Sequence, residues 1–335
     1  MALHLVQLTN GAQRRVARVD GDGLMCLSNV SSVYDLARDC IHAQQSLAGY
    51  AEALDVDATL RYEPIYSGQS EWRLLPPVDV PGNPSRCIVS GTGLTHMGSA
   101  ASRQAMHAMQ AEAMTDSMRM FQWGLQEGNP GKGKVGVAPE WFYKGTGTMV
   151  RAHLQPLDVP FYAEDGGEEA EVAAIYFIDD EGTPQRLGFT AGNEFSDHVF
   201  EKKNYLNLAG SKLRSCSLGP ELVVTDNFTR VPGKVSIERE GKVLWSAAIE
   251  TGEEAMCHSL QNLEHHHFKF ENHRIPGDLH VHFLGAAALS FSNNVSLVDG
   301  DWMQVVFEGF GRPLRNPLRV ATPQRDRLIT VHSLA

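Results

Sequence analysis

"GEEAEVAAIYF", Gly167 to Phe177, is the stretch whose reading decides the fold. It is apolar and partly β-branched, with turn signals at DGG before it and DDEG after it, so it reads as a strand. In a strand alternate side chains share a face, which puts Glu169 beside Glu171. Like charges placed side by side cost stability, so something must stand opposite them. The chain then turns at Asp179–Gly182 and returns through FTAGNEFSDHVF. A hairpin there brings Glu194 next to the pair. Three oxygen ligands with room for water suit a hard divalent cation, Mg²⁺ or Mn²⁺. A solvated acidic edge strand fits the same spacing, and spacing alone leaves both readings open.

The rest of the chain bounds the answer. Its 335 residues suffice for one large domain or two ordinary ones, and 42% hydrophobic with 21% charged residues is a globular composition. A net charge of −11 argues against a general nucleic-acid binder. Cys26, Cys40, Cys87, Cys216 and Cys257 are scattered and form no CxxC pair, which reads as reduced thiols of a cytoplasmic protein. The first residues carry no signal-peptide h-region, and no 18-residue apolar run spans a membrane.

Along the chain, HLVQLTN and RRVARVDG read as strands joined by a turn at Asn10-Gly11. Ser31 to Leu54 reads as helix, with Ser32 as N-cap. LLPPVDVPGNPSR is the strongest linker candidate, which sets an expected boundary near residue 80: a small α+β unit over 1–80 and a catalytic unit over 81–335. A strand, CIVSG, follows. Residues 100–127 read as a helix rich in methionine (Met106, Met109, Met114, Met118, Met120), best taken as a core-facing or subunit-facing stripe. NPGKGKVG lacks the GK[ST] ending of a phosphate-binding loop and reads as a flexible loop. Beyond residue 140 the pattern is mostly strands and turns.

Two further residue types bear on chemistry. Lys212, in LAGSKLRS, can give or take a proton beside a metal-bound carbonyl if burial lowers its pKa; considered alone, it reads better as an ordinary surface lysine. Consecutive His265, His266 and His267 diverge by roughly 100° on a helix and cannot share one ion. His280 and His282 share a strand face at a zinc-like spacing, but no third ligand stands at a matching offset. His198 follows Glu194 by four residues, near the carboxylates.

These motifs, taken in order, resemble the fumarylacetoacetate hydrolase superfamily. EEAEVAAIYF is similar to its ExE strand, GFTAGNEFSDHVFEKKNYLNLAGSKLRSCSLGPELVV to its acidic turn and active-site lysine before a GP, IPGDLH to its PGD strand, and LVDGDWMQVVFEGFGRPLRNPL to its closing hairpin. RLLPPVDVPGNPSRCIVSGTGL resembles the segment that leads into its catalytic domain. The match runs from about residue 73 to residue 320. It implies an α+β protein, a β-rich mixed β-roll preceded by a small N-terminal domain. It also implies a divalent metal, Mg²⁺ or Mn²⁺, that binds a 2-oxo acid, and a homodimer or homotetramer.

By position, the resemblance makes Glu169, Glu171 and Glu194 the metal ligands, with Glu194 where relatives usually have aspartate. Lys212 falls on the active-site lysine. His198 and Glu201 fall where many members carry an arginine and a glutamine that touch substrate. Ser196, Lys144, His96 and Ser99 complete the expected substrate-binding set. The catalytic histidine of the family's hydrolases aligns with Ser99, and His96 lies three residues earlier. LGA at 284–286 stands where relatives have TGT, so Ala286 lacks the threonine that would meet the substrate carboxylate.

The combination GTGLTH, GNEFSDHVFEKKNYL and SKLR is more similar to a branch that dehydrates 2-keto-3-deoxy sugar acids, chiefly pentonates, to 2-oxoglutarate semialdehyde. That chemistry needs no activated water nucleophile. Two alternatives stay open: an acylpyruvate-type hydrolase cleaving a carbon–carbon bond with His96 in the dyad, and a non-catalytic sugar-acid binder.

Overall fold

The computed structural model describes residues 2–98, 115–324 and 327–334. Its N-terminal strands form a meander, β1 (Leu3–Thr9), β2 (Arg14–Asp20), β3 (Gly23–Leu27) and β4 (Val56–Arg61), each antiparallel to the next. Asn10 makes the first turn as expected, because its Oδ1 accepts the N–H groups of Ala12 and Gln13. The Ser31–Leu54 helix is really two. Ser32 caps α1 (Val33–His42) by accepting from Asp35 N, but Gln44 takes a left-handed φ of 54° and ends the run. Ser46 then caps α2 (Leu47–Ala53) anew.

After α3 (Tyr62–Tyr66), the short β5 (Arg73–Leu74) returns to β1. The proline-rich segment after it is packed down. Val78 and Val80 are buried, Gln7 Nε2 donates to Pro76 O and Asp79 Oδ1, and Arg14 pairs with Asp79 at 2.5 Å. The sheet also runs across residue 80. One core joins Leu5, Leu27 and Leu36 to Val89, Ile175 and Phe283, all at most 1% exposed. Each such side chain contributes roughly 1.5–3 kcal/mol, so many of these contacts bind the N-terminal unit to the remainder of the chain.

Beyond it come β6 (Cys87–Gly93), β7 (Glu140–Thr146), β8 (Val150–Arg151), β9 (Leu157–Val159), β10 (Ala170–Ile178), β11 (Pro184–Asn193), β12 (Cys216–Leu218) and β13 (Leu222–Val224). The last five strands are β14 (Val231–Arg239), β15 (Lys242–Thr251), β16 (Leu279–Phe283), β17 (Trp302–Phe307) and β18 (Leu314–Val320). The large sheet has the order β4-β3-β2-β1-β13-β11-β10-β16-β6-β7, with β5, β8 and β12 attached at its side. The second sheet is β15-β14-β17-β18-β9.

Strand β10 lies inside this assembly. Ala173, Ile175 and Phe177 face the core shared with α1, while Val172, Ala174 and Tyr176 face Val235, Val305 and Phe307 of the second sheet. Burial on both faces explains its near-continuous apolar run. It also removes the edge-strand reading of its acidic residues, since β11 and β16 flank it.

Helix α4 (Asp116–Glu127) begins at Thr115, and its Met118 and Met120 pack beside Leu94, Phe121 and Cys257. Ser99, Met106, Met109 and Met114 lie outside the described residues. The NPGKGKVG stretch is a loop held by Gln261 and Asn262, whose side-chain oxygens accept from Gly133 N and Gly136 N. Three more helices follow: α5 (His198–Lys203), α6 (Leu208–Lys212) and α7 (Leu260–Phe268). The five cysteines are free and buried, and no helix among the described residues is long and apolar enough to cross a membrane.

Candidate metal centre

The hairpin of β10 and β11 sets the site by register. Ala170 stands opposite Asn193 and Glu171 opposite Gly192. One step further out, Glu169 faces Glu194, and Glu194 N donates to Glu169 O at 2.9 Å. Two steps beyond, Gly167 bridges Ser196. Directly opposed residues project on one face, so Glu169 and Glu194 form a cross-strand pair, with Glu171 next along that face. One oxygen from each of the three carboxylates lies within 4.8 Å of the others, and all three residues are buried.

Two lysines enter this acidic centre. Lys212, at the end of α6, is fully buried. Its Nζ lies 2.6 Å from Glu169 Oε1, 2.5 Å from Glu194 Oε2 and 2.9 Å from Ser196 Oγ. The same ammonium sits 4.8 Å from the Phe142 ring centroid. Lys144, on β7, is also fully buried, and its Nζ lies 2.5 Å from Glu194 Oε1. It donates to Phe195 O and Lys212 O as well. Phe195 carries a left-handed φ of 55°, costly for a bulky residue, and Lys144 grips its carbonyl. The structure thus sets Lys144 behind Glu194, as a partner of that carboxylate and of the Phe195 and Lys212 carbonyls.

Asp197 starts α5 by accepting from Phe200 N and is itself held by Arg214 at 2.9 Å. That cap aims His198 back at the strands, where its Nε2 lies 3.0 Å from Glu169 Oε1. Gly167 must be glycine here, because a Cβ would stand 2.3 Å from His198 Nδ1. Glu201 is buried on the same helix.

His96 goes elsewhere. Its Nδ1 meets Thr95 Oγ1 at 2.9 Å and its Nε2 meets Thr251 Oγ1 at 3.0 Å, and burial lowers its pKa to about 4. Both ring nitrogens are spent on hydroxyls. Of the zinc-like pair, His282 spends both ring nitrogens on Ser90 and Thr92, while His280 spends Nδ1 on His267 and its buried Nε2 has no hydrogen-bond partner. Ser99 is not among the described residues.

The electrostatics ask for a cation. Burial works to raise Glu169, but Lys212 and His198 overcome it and hold its carboxyl well below the usual range. Glu171 goes the other way: burial, then Glu194 and Glu169, push it well above. Glu194 is raised by burial and by Glu169, against the two lysines. Burial lowers Lys144 despite Glu194, while Glu169 raises His198 against burial. Three carboxylates face two ammonium groups, and Glu171 is the one left to take a proton. Buried, convergent and all oxygen, the donor set fits a hard dication, which would keep all three ionised.

Glu168 was invisible as a functional residue in the sequence. Its one signal was parity, since it is the carboxylate of GEEAE that faces away from the other two.

The fold and this trio define a mixed β-roll with a candidate cation site at the mouth of a central hairpin. No family model matches the sequence, and no curated protein sequence does either. Solved structures do match. A 2-keto-3-deoxyarabinonate dehydratase superposes with a TM-score of 0.72 at 18% identity, over 95% of this chain and 99% of that one. A 2-keto-3-deoxy-D-arabinonate dehydratase complexed with magnesium and 2,5-dioxopentanoate gives 0.71 at 18% identity, with the same coverage. Fumarylacetoacetate hydrolase from psychrophilic Exiguobacterium antarcticum gives 0.61 at 16% identity, over 95% of this chain and 100% of that one. The chain therefore has the fold of the fumarylacetoacetate hydrolase superfamily, and at these identities the likeness is one of fold.

Proposed function

We propose that this protein is a metal-dependent hydro-lyase that dehydrates a 2-keto-3-deoxy sugar acid, a pentonate, to 2-oxoglutarate semialdehyde. The observation that carries the reading is the buried Glu169, Glu171 and Glu194 set bridged by Lys212 Nζ. Those three carboxylates would hold Mg²⁺, which when bound supplies the Lewis acidity that polarises a 2-oxo group and acidifies C3. Support also comes from the similar structure holding magnesium and 2,5-dioxopentanoate, the same compound as the product proposed here.

Lys212 is assigned the acid–base role. The C3–H and C4–O bonds break, the departing hydroxide leaves with a proton as water, and a hydrogen shift from C5 gives the aldehyde. The reaction balances without an oxidant or reductant. Ser196 and Glu194 hold the Lys212 ammonium at the centre. His198 and Glu201, on one helix, are assigned the second proton transfer or the hold on the sugar hydroxyls. Lys144 keeps Glu194 in place. The two-sided anchoring of His96 favours dehydration over a hydrolysis that would use this residue to activate water.

The test is a screen of 2-keto-3-deoxy pentonates and hexonates with Mg²⁺, following semialdehyde formation, beside a diketo acid. Turnover of a pentonate that stops with a chelator and returns with Mg²⁺ is expected. Cleavage of the diketo acid alone would replace this reading with the hydrolase. No turnover in either metal state would leave a binding protein.

A further inference from the structure

The loop after β16 forms one wall of the carboxylate centre. Gly285 N donates to Glu171 Oε2 at 2.7 Å, so the loop touches a ligand where it begins. Six residues on, the Phe291 ring lies 5.1 Å from the His198 ring. Between them run Ala286-Ala287-Ala288-Leu289, which have no polar side chain, and then Ser290. Gly285 (φ 102°) and Asn294 (φ 59°) bend the chain at either end. Phe291, Val295 and Leu297 also line a cavity of about 260 Å³, shared with Gly166 and Gly167. On that side the loop lacks close-packed support.

Its polar anchor is Glu168. This carboxylate is fully buried, with Oε1 accepting from Ser290 N at 2.7 Å and Oε2 from Ser290 Oγ at 2.6 Å. Charge-assisted bonds of this kind are the strong ones, and both oxygens are committed to one residue. Glu168 lies next to Glu169 in the chain but on the opposite face of the strand.

We infer that Glu168 is a positioning residue, a latch that fixes the Gly285–Asn294 wall against Glu171 and His198 and thereby sets how the substrate is received. This rests on the reading of the site as a metal-dependent 2-oxo-acid centre. Ser290 stands five residues past the Gly285 contact with Glu171 and next to Phe291, which faces His198, so the latch acts on substrate affinity more than on the metal.

Two variants test it in the Mg²⁺-loaded protein with a 2-keto-3-deoxy pentonate. Ser290→Ala, far in sequence from every ligand, is expected to raise KM roughly ten-fold, the scale of one charge-assisted bond, with kcat within about three-fold. Glu168→Ala is expected to act in the same direction, and the double variant to be no worse than Glu168→Ala, because the two residues form one contact. Mg²⁺ affinity, measured by calorimetry, should stay within about three-fold in Ser290→Ala. Unchanged KM in Ser290→Ala, or additive effects in the double variant, overturns the latch. Hydrogen exchange over residues 285–294 gives a readout free of activity: faster exchange in Ser290→Ala is expected, and unchanged exchange overturns the proposal. A wild-type protein inactive on every 2-oxo acid would instead overturn the proposed function, with the exchange measurement still deciding the latch.

Discussion

Two regions of the same sheet bury ionisable groups, and they do so in opposite ways. At the start of β10, Glu169, Glu171 and Glu194 point their oxygens at one place. Further along, beside β16, His267, His273, His280 and His282 form a second buried cluster. There each ring serves a neighbour. Trp141 Nε1 donates to His267 Nδ1, which leaves the proton of His267 on Nε2 to face His280 Nδ1 at 2.9 Å. His273 Nδ1 meets His267 O, and His282 meets two hydroxyls. Burial, then neighbouring imidazoles, hold His267 well below its usual pKa and bring His280 and His282 to about 3. His267, His280 and His282 therefore stay neutral near pH 7. Burial is common to both regions; convergence of like charge belongs to one, and it is convergence that marks the candidate site.

The contrast can be broken most sharply at Glu171. Glu171→Gln keeps the shape and removes the charge, and kcat/KM should fall by roughly 10²–10³ with weakened Mg²⁺ binding in calorimetry. Retained activity would mean the trio is not the metal centre. Lys212→Met should cost roughly 10²–10⁴ in kcat while leaving Mg²⁺ binding measurable, since no metal ligand is removed. Near-normal turnover would remove Lys212 from the acid–base role.

Acid stability probes the imidazole side. His96, His153 and His258 are lowered to about 4 by burial, and His280 and His282 to about 3. The unfolded chain binds these protons near the ordinary histidine value of about 6.5. The folded chain does not bind them until the lower values. Their stabilising effect is therefore complete above about pH 6.5 and is lost as pH falls toward 4 and then 3. The loss per histidine is about 1.4 kcal/mol for each pH unit crossed between the unfolded and folded values. Asp165, pushed up to about 6 by burial, works in the opposite sense, and so do Glu168, Glu171, Glu194 and Glu264, whose carboxyls burial also raises. Urea midpoints at pH 7.5 and 5 in Mg²⁺-free buffer read the net of the two sets, and the histidine share is the part that a single histidine substitution removes. The smallest expected effect is at His280→Gln. Turnover at pH 7.5 should stay within about two-fold, while the change in urea midpoint from pH 7.5 to 5 should be more favourable than in the wild type by the share of one lowered histidine, and an identical change would contradict the account.

Much of the site was legible because a strand and a hairpin obey simple rules. Alternation put Glu169 beside Glu171, and the DDEG turn put Glu194 opposite Glu169. The N-cap at Ser32 was legible from side-chain chemistry, but the break at Gln44 was not, because a left-handed glutamine carries no sequence signal. The roles of Lys144 and Glu168 escaped for a related reason. They depend on the groups packed behind the strand, at Glu194 and at Ser290, and both partners are far away in the chain. The histidine cluster was half legible. His280 and His282 follow from strand spacing, while His267 and His273 arrive from α7 and the turn after it.

The pairing of β1 with β13 has a consequence for how the chain is made. Leu3, His4 and Leu5 find their partners at Val224, Val223 and Leu222. At a synthesis rate of about 5–20 residues per second, the ribosome delivers that partner roughly 10–40 s after β1 emerges. The β2–β4 meander closes one side of β1 within that time. On the other side β5 covers Leu8 and Thr9, but Leu3, His4 and Leu5 wait as an open hydrogen-bonding edge, so for those seconds the nascent protein is exposed there to pairing with a neighbour on the same message.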